Sequence, residues 1–251
     1  MKALITGASG GIGRDMARIL SAQGHDLILV ARSRENLESL QKELNTHTES
    51  ITMDLSDPQA PYDLYRQVKD RQIDILINNA GFGLFGEFVS ADLDTELNMI
   101  DLNIKALHIL TKLFVKDFVE RDLGYILNVA SIAGFLPGPT MSTYYASKAY
   151  VIHLTEAIYE ELRHSGSRVH ISALCPGPVK TGFNSRAGAR FGSHGLDSET
   201  VAAFALKKMF AGKLIIIPGF SIKALGFARR VVPTKLLLKA IHSTQIKRKS
   251  H

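Results

Sequence analysis

The sequence predicts a single α/β domain built on a doubly wound parallel sheet of about seven strands. Short apolar segments alternate with longer segments of helical periodicity along most of the chain. The short segments are rich in Val, Ile and Leu on both faces, which is typical of central parallel strands covered by helices. A length of 251 residues suits one large α/β domain, and 45% apolar residues can supply its core.

Strands and helices follow from this alternation in chain order. The predicted strands are the short apolar runs KALIT (2–6), DLILVA (26–31), SITM (50–53), IDILIN (73–78), YILNVA (125–130), VHISAL (169–174) and KLIII (213–217). The predicted helices run from the first glycines to Gly24, over about 34–45, from the cap Asp57-Pro58, and over about 92–120, 143–164 and 198–211.

Two segments interrupt the alternation. Residues 182–197, rich in Gly, Ser and Arg, predict a long mobile loop, and loops of that length are often lids or binding segments. Residues 221–251 form a basic, apolar tail after the last predicted strand. We therefore expect a dinucleotide-binding and catalytic domain over 1–220 and a basic amphipathic extension over 221–251.

A glycine loop joins the first strand to the first helix. Gly7, Gly11 and Gly13 lie in ALITGASGGIG with the spacing Gly-x-x-x-Gly-x-Gly. Glycines allow a tight turn and let a pyrophosphate approach the helix N-terminus, where free N–H groups and the helix dipole favour an anion. An ordinary tight turn is the alternative, but the position in the first βα unit favours a dinucleotide site.

The end of the second strand indicates which dinucleotide binds. An acidic residue often holds the ribose hydroxyls of NAD there, whereas this chain has Ala31 followed by Arg32. An arginine can bind a 2′-phosphate with paired donors, so the sequence favours NADP(H). Arg32 could instead be a surface residue that opens the next helix.

The segment STYYASKAY (142–150) contains a candidate proton donor. Residues four apart share a helix face, so Lys148 faces Tyr144, whereas Tyr145 points about 100° away. A nearby ammonium lowers the pKa of a tyrosine, which could then exchange a proton with a carbonyl or alcohol. Taken alone, such a pair is usually a surface feature. We interpret Tyr145 as packing or pocket wall and Tyr150 as helix packing.

Five ordered motifs together resemble the short-chain dehydrogenase/reductase family of the Tyr-x-x-x-Lys type, over about residues 2–217. Ser131 precedes Tyr144 by 13 residues, as is common in that family. Gly10 stands where many NADP-dependent members have a basic residue. The motifs are TGASGGIG (6–13), NNAG (78–81), DLNIKALHILT (101–111), YYASK (144–148) and CPGPVKT (175–181).

The resemblance implies a single-domain Rossmann fold and four catalytic residues. Tyr144 would exchange the proton with the substrate oxygen, Ser131 would bind that oxygen, and Lys148 would bind the nicotinamide ribose and lower the pKa of Tyr144. Asn103 would hold a water that links the lysine to solvent. Asp54 would bind the adenine edge, Thr181 would contact the carboxamide, and the remaining predicted cofactor contacts are Ser9, Ile12, Leu55, Asn79, Ala80, Gly81, Pro176, Gly177 and Val179.

The predicted function is hydride transfer between NADP(H) and a carbonyl or secondary alcohol. Loop residues over 82–88 and 132–141 and Phe183 are largely apolar, which favours a substrate with an apolar part. Ketones, aldehydes, steroid-like alcohols and acyl chains all remain open, and the apolar loops could equally pack on one another or on another subunit. The alternative function is a dinucleotide-sensing or scaffold protein that shares the fold without turnover. We expect no metal site.

Charge is unevenly distributed along the chain. The net charge is +6, yet residues 200–251 hold eleven Lys and Arg and no acidic residue. This tail could pack over the pocket or a subunit interface, which we favour, or contact an anionic membrane surface. It lacks the interleaved aromatic residues typical of nucleic-acid binding. We expect a cytoplasmic protein, because we find no signal peptide and no run of about 18 apolar residues. We also expect a homodimer or homotetramer.

Overall fold

The structure is a computed structural model that describes residues 1–183, 195–219 and 234–247. Its strands are β1 (Lys2–Thr6), β2 (Asp26–Ala31), β3 (Thr48–Thr52), β4 (Ile75–Asn78), β5 (Tyr125–Val129), β6 (His170–Leu174), β7 (Val179–Lys180), β8 (Leu196–Asp197) and β9 (Ile215–Ile216). Its helices are α1 (Gly11–Ala22), α2 (Arg34–Glu43), α3 (Ala60–Val68), α4 (Leu93–Ile100), α5 (Leu107–Arg121), α6 (Ser142–His164), α7 (Ser198–Phe210) and α8 (Thr234–Lys247).

The main sheet confirms the predicted architecture. Seven parallel strands lie in the order β3-β2-β1-β4-β5-β6-β9. From β1 the chain first extends the sheet through β2 and β3, and it then returns to the other side of β1 with β4. The reversal leaves a crevice at the carboxyl ends of the central strands, which is where open α/β sheets bind ligands.

Apolar side chains cover both faces of this sheet. On one face, α1, α2 and α7 pack through residues such as Met16, Leu37 and Val201. On the other face, α3, α5 and α6 pack through residues such as Leu64 and Phe114. Strands buried on both faces explain why the predicted strand segments are apolar throughout rather than alternating.

Several predicted ends, such as those of β3 and β4, shift by one or two residues, and three further predictions are corrected. The helix predicted over 92–120 contains a π-helical segment, Asp101–Ala106, between α4 and α5. Helix α3 begins at Ala60 with Pro61 in its first turn, rather than at Pro58. The strand predicted over 213–217 is reduced to the two residues of β9, where the main sheet ends.

Parts of two predicted segments can be placed. In the segment 182–197, β8 pairs with β7 in a small parallel ladder, and residues 184–194 lie outside the described residues. The predicted domain boundary at residue 220 also lies outside them, while residues 234–247 of the tail form α8. Within the described ranges, no helix has the length and apolarity needed to cross a membrane.

Candidate active site

One large cavity, of about 1000 Å³, lies at the carboxyl ends of the sheet strands. It is lined by the segments that follow β1 to β6, as the topology predicts. Most of the predicted site residues come together there. The lining includes Gly7, Ser9, Gly11, Ile12, Arg32, Asp54, Leu55, Asn79, Ala80, Gly81, Ser131, Tyr144, Lys148, Pro176, Gly177, Val179 and Thr181.

The glycine loop forms a cradle at one end of the cavity. Gly7 and Gly11 have φ values of +65° and +54°, which side chains with a Cβ rarely adopt. Helix α1 begins at Gly11, and within the described chain no side chain caps its first N–H groups. Free N–H groups at a helix N-terminus that lines a cavity suit an anionic group such as a pyrophosphate.

Gly13 has a packing role and does not itself line the cavity, so its predicted cofactor contact stays a prediction. A Cβ on this residue would lie 2.7 Å from Gly7 O and even closer to Asn79 Nδ2. The Asn79 amide donates hydrogen bonds of 3.0 Å to the carbonyl oxygens of Thr6 and Gly7. Asn79 therefore holds the glycine loop against the segment after β4, and Gly13 provides the space for its side chain.

Arg32 and Asp54 lie together where the second and third strands end. Their side chains form an ion pair of 3.6 Å at the protein surface. Asp54 also accepts hydrogen bonds from Ser56 N and Oγ, at 3.0 and 2.7 Å. Burial would raise the pKa of Asp54, but the Ser56 hydrogen bonds and the Arg32 charge lower it below its usual value. Asp54 is the only carboxylate among the described residues that line the cavity.

Tyr144, Lys148 and Ser131 meet at the other end of the cavity. Tyr144 and Lys148 lie one turn apart on α6, and both are buried. Ser131 follows β5, and its Oγ accepts a hydrogen bond from Ala133 N at 3.1 Å. Helical register therefore brings the predicted tyrosine and lysine to the same wall as the serine.

The neighbouring tyrosines have other surroundings. Tyr145 lines the cavity, as the pocket-wall interpretation predicts. Tyr150 lies on the exposed side of α6, where its hydroxyl is 2.7 Å from His108 Nδ1 of α5. Neither Ser142 nor Thr143 caps α6: Met141 occupies the cap position, and the Thr143 hydroxyl binds Glu96 of α4.

The electrostatics of the Tyr144–Lys148 pair differ from the prediction. Burial raises the pKa of Tyr144 to about 12, while a hydrogen bond with Ser131 lowers it. Lys148 Nζ donates a 2.8 Å hydrogen bond to Val129 O and lies 5.9 Å from the centroid of the Tyr144 ring. Burial also lowers the pKa of Lys148 to about 8. The predicted lowering of the tyrosine pKa by Lys148 is therefore wrong for this structure, because desolvation dominates both groups.

Asn103 lies behind the cavity wall, in the π-helical segment. Its side chain is fully buried, accepts a 3.1 Å hydrogen bond from Phe82 N and donates a 2.9 Å hydrogen bond to Phe82 O. Its Nδ2 also lies 3.3 Å from Ser147 Oγ on α6. Asn103 thus fixes the segment after β4 to the helix of Tyr144, and its predicted link to a water stays a prediction. π-helical turns of this kind are frequent at functional sites.

Sequence reasoning favoured packing of the tail over the pocket or a subunit interface, but it did not identify the residues of α8 that line the cavity. Leu237, Ala240, Ile241 and Gln245 line its outer part, opposite apolar residues of the predicted substrate loops. The described part of the basic tail therefore packs over the pocket, which was the favoured alternative. The loop residues that line the cavity are Phe82, Ile132, Ala133, Leu136, Met141 and Phe183.

Comparisons with known proteins agree with this geometry. The family model described as short chain dehydrogenase matches residues 1–190. An uncharacterised oxidoreductase of Staphylococcus epidermidis is 34% identical over 182 residues, which cover 71% of this chain and 78% of that protein. A short-chain dehydrogenase from Sphingobium yanoikuyae, solved with NADPH, is 33% identical, with a TM-score of 0.83 and coverage of 91% of this chain and 93% of that one. A Burkholderia phymatum short-chain dehydrogenase/reductase solved with NAD shares the fold, with 24% identity, a TM-score of 0.83 and coverage of 91% of this chain and 92% of that one.

Proposed function

Because the chain belongs to the short-chain dehydrogenase/reductase family, we propose that it is an NADP(H)-dependent oxidoreductase that interconverts a partly apolar carbonyl compound and its secondary alcohol. The observation that carries the proposal is the placement of Ser131, Tyr144 and Lys148 in one cavity with the glycine cradle of Gly7 and Gly11. One group of residues can exchange a proton, and the other can hold a dinucleotide.

The residues that line the cavity are suited to the whole length of a nicotinamide dinucleotide. The N–H groups at the start of α1 would hold the pyrophosphate. Asp54, Lys148 and Thr181 all line the cavity. Asp54 would bind the adenosine, while Lys148 and Thr181 would bind the nicotinamide ribose and carboxamide. When bound, the cofactor supplies or accepts the hydride, and the protein contributes placement and electrostatics.

Proton transfer is the task of Tyr144. With a pKa of about 12, its hydroxyl keeps its proton at neutral pH and can act as the acid when a carbonyl is reduced. The Ser131 hydroxyl, which lowers the pKa of Tyr144, would donate to the same substrate oxygen and stabilise its developing negative charge. Lys148 would bind the nicotinamide ribose, and Asn103 would hold the segment after β4 against α6.

Arg32 supports NADP(H) over NAD(H). Its guanidinium lies at the mouth of the adenosine end and is 61% exposed, so a 2′-phosphate could reach it. Ser33 and Asn36, which add polar groups without negative charge, line the same end. A doubly charged phosphate would compete with Asp54 for the guanidinium, and paired charge-assisted hydrogen bonds favour the phosphate.

The cofactor preference is tested by measuring the Kd of NADPH and of NADH for wild type, Arg32→Ala and Arg34→Ala. Arg34, the first residue of α2, is exposed and does not line the cavity, so it serves as the matched control. We expect Arg32→Ala to weaken NADPH binding at least tenfold while NADH binding changes little. Equal losses for both cofactors, or none, would remove the support for NADP(H).

Turnover separates the enzyme from a dinucleotide-binding protein without activity. Purified protein is mixed with NADPH and a panel of aldehydes, aliphatic ketones, aryl ketones and 3-oxoacyl thioesters, and the absorbance of NADPH is followed. We expect consumption with at least one carbonyl that carries a sizeable apolar group. Tight NADPH binding with no consumption across the panel would favour the sensing or scaffold alternative.

A further inference from the structure

Gln245 connects α8 to the segment that leads into the catalytic helix. It is 2% exposed, although it lies on the last helix of a strongly charged tail. Its Oε1 accepts a 2.8 Å hydrogen bond from Thr140 Oγ1, and its Nε2 donates a 2.9 Å hydrogen bond to Tyr145 Oη. A buried amide that is paired at both ends forms a specific contact, since an unpaired one would be strongly unfavourable.

Thr140 has a backbone conformation that needs such support. Its φ is +65°, and the left-handed region is unfavourable for a β-branched residue. Strained residues persist when the surrounding structure holds them in place, and they concentrate near functional sites. Two contacts hold Thr140: the side-chain bond to Gln245, and a 2.9 Å hydrogen bond from Gly86 N to its carbonyl oxygen.

The strained residue lies four positions before Tyr144, the proposed proton donor. Thr140 precedes the first residue of α6 by two positions, and Tyr145 lies beside Tyr144 in the first turn. The Tyr145 ring packs directly on Gly138, where a Cβ would overlap the ring. Gln245 therefore holds both the loop before α6 and the first turn of α6.

The same helix presents apolar residues to the cavity. Leu237 and Ile241 lie two turns and one turn before Gln245, and both line the outer part of the cavity. They face a region that also contains Leu136, Met141 and Phe183. Residues beyond 190 lie outside the matched family region, so this wall belongs to a part of the chain that the family model leaves undefined.

We propose that α8 forms the distal wall of a substrate subsite for a bulky apolar group, and that Gln245 is the positioning residue that docks this wall against the Thr140–Tyr145 segment. The substrate is then a ketone or secondary alcohol with a large apolar substituent, which contacts Leu237 and Ile241. This inference rests on the proposed function for its chemistry, whereas the docking of α8 by Gln245 does not depend on turnover.

The test compares substrates of different size in Gln245→Met, which keeps the side-chain length and removes both hydrogen bonds. We expect kcat/KM for a ketone with a bulky apolar group to fall about tenfold, mainly through KM, while that for a small ketone stays within about twofold. The Kd for NADPH should not change. His242→Ala, an exposed position on the same helix, is the matched control and should behave like wild type. An equal fall for both ketones, or no fall for either, would overturn the proposal.

A second variant tests the same bond from the opposite side. Thr140→Val retains the shape of the side chain but removes its hydroxyl, and we expect the same selective loss. The double variant with Gln245→Met should be little worse than either single variant, because the two residues act through one contact. Fully additive losses would contradict the proposed coupling.

Hydrogen exchange distinguishes a failure of this inference from a failure of the proposed function. In Gln245→Met, amides of residues 138–147 should exchange faster than in wild type or His242→Ala, whether or not the protein turns over a ketone. Unchanged exchange would overturn the docking role. Faster exchange in a protein without turnover would support docking and refute the oxidoreductase proposal alone.

Discussion

Replacing Lys148 with Met should stabilise the protein while it removes activity. The Lys148 side chain is buried, and its pKa is lowered from 10.5 to about 8. Each pKa unit corresponds to about 1.4 kcal/mol, so the buried charge destabilises the fold by about 3 kcal/mol at pH 7. Loss of the hydrogen bond to Val129 O offsets about 1 kcal/mol of that. A net gain of about 2 kcal/mol corresponds to a rise in Tm of about 4–8 °C for a chain of this size.

The pH dependence of this gain identifies its cause. Below pH 8 both folded and unfolded chains carry the charged lysine, so the destabilisation is fully present. Between pH 8 and 10.5 the unfolded chain binds more protons than the folded one, so wild-type stability gains from Lys148 as pH rises. The free energies of unfolding of wild type and Lys148→Met, measured in urea, should therefore differ at pH 7 and converge towards pH 10.

Lys112→Met, at an exposed position, is the control and should change the free energy of unfolding by less than about 0.5 kcal/mol at both pH values. A variant that is less stable than wild type at pH 7, or a gain that is equal at both pH values, would refute the reasoning.

Two further substitutions test the framework of the site. Gly13→Ala should reduce the free energy of unfolding by about 1–3 kcal/mol, because the added methyl group overlaps the Asn79 amide. Gly10→Ala is the control, because a methyl group at that position has open space and the variant should fold normally. Thermal unfolding of the two variants measures the difference, and equal stabilities would contradict the packing argument. Asn128→Ala should reduce the free energy of unfolding by about 2–5 kcal/mol in urea titrations. It removes the buried partner of one Asn78 amide N–H and of one lone pair of the Thr155 hydroxyl, which keep only their bonds to Thr111 and Val151. A loss below about 1 kcal/mol would show that the network relaxes.

Local sequence pattern predicted the elements that lie in the centre of the sheet. Strands β1 and β2 have the predicted ends, because both are apolar and bounded by glycine or charged residues. Near the sheet edge, sequence pattern alone predicts too long a strand: residues 214–217 are apolar, yet only Ile215 and Ile216 pair with β6. The π-helical segment was missed because it continues a helical pattern without Gly or Pro, and the buried hydrogen bonds of Asn103 become visible only in three dimensions.

The site was predicted where function depends on short spacing and missed where it depends on distant contacts. The four-residue spacing of Tyr144 and Lys148 fixes their common face, and the structure shows both in the cavity. The pKa of Tyr144 could not be predicted from that spacing, because it depends on burial by distant parts of the chain. Gln245 lies about 100 residues from its partners, and nothing in its local sequence marks it as buried.

The central claim, that Tyr144 carries out proton transfer at a carbonyl, is tested most directly by the rate of NADPH oxidation in Tyr144→Phe with the best carbonyl from the panel. Tyr150→Phe is the matched control, because that tyrosine lies on the exposed side of the same helix and contacts His108. We predict that kcat/KM falls by about 10²- to 10⁴-fold in Tyr144→Phe, with little change in the Kd for NADPH, and that Tyr150→Phe behaves like wild type. Full turnover by Tyr144→Phe would contradict the account.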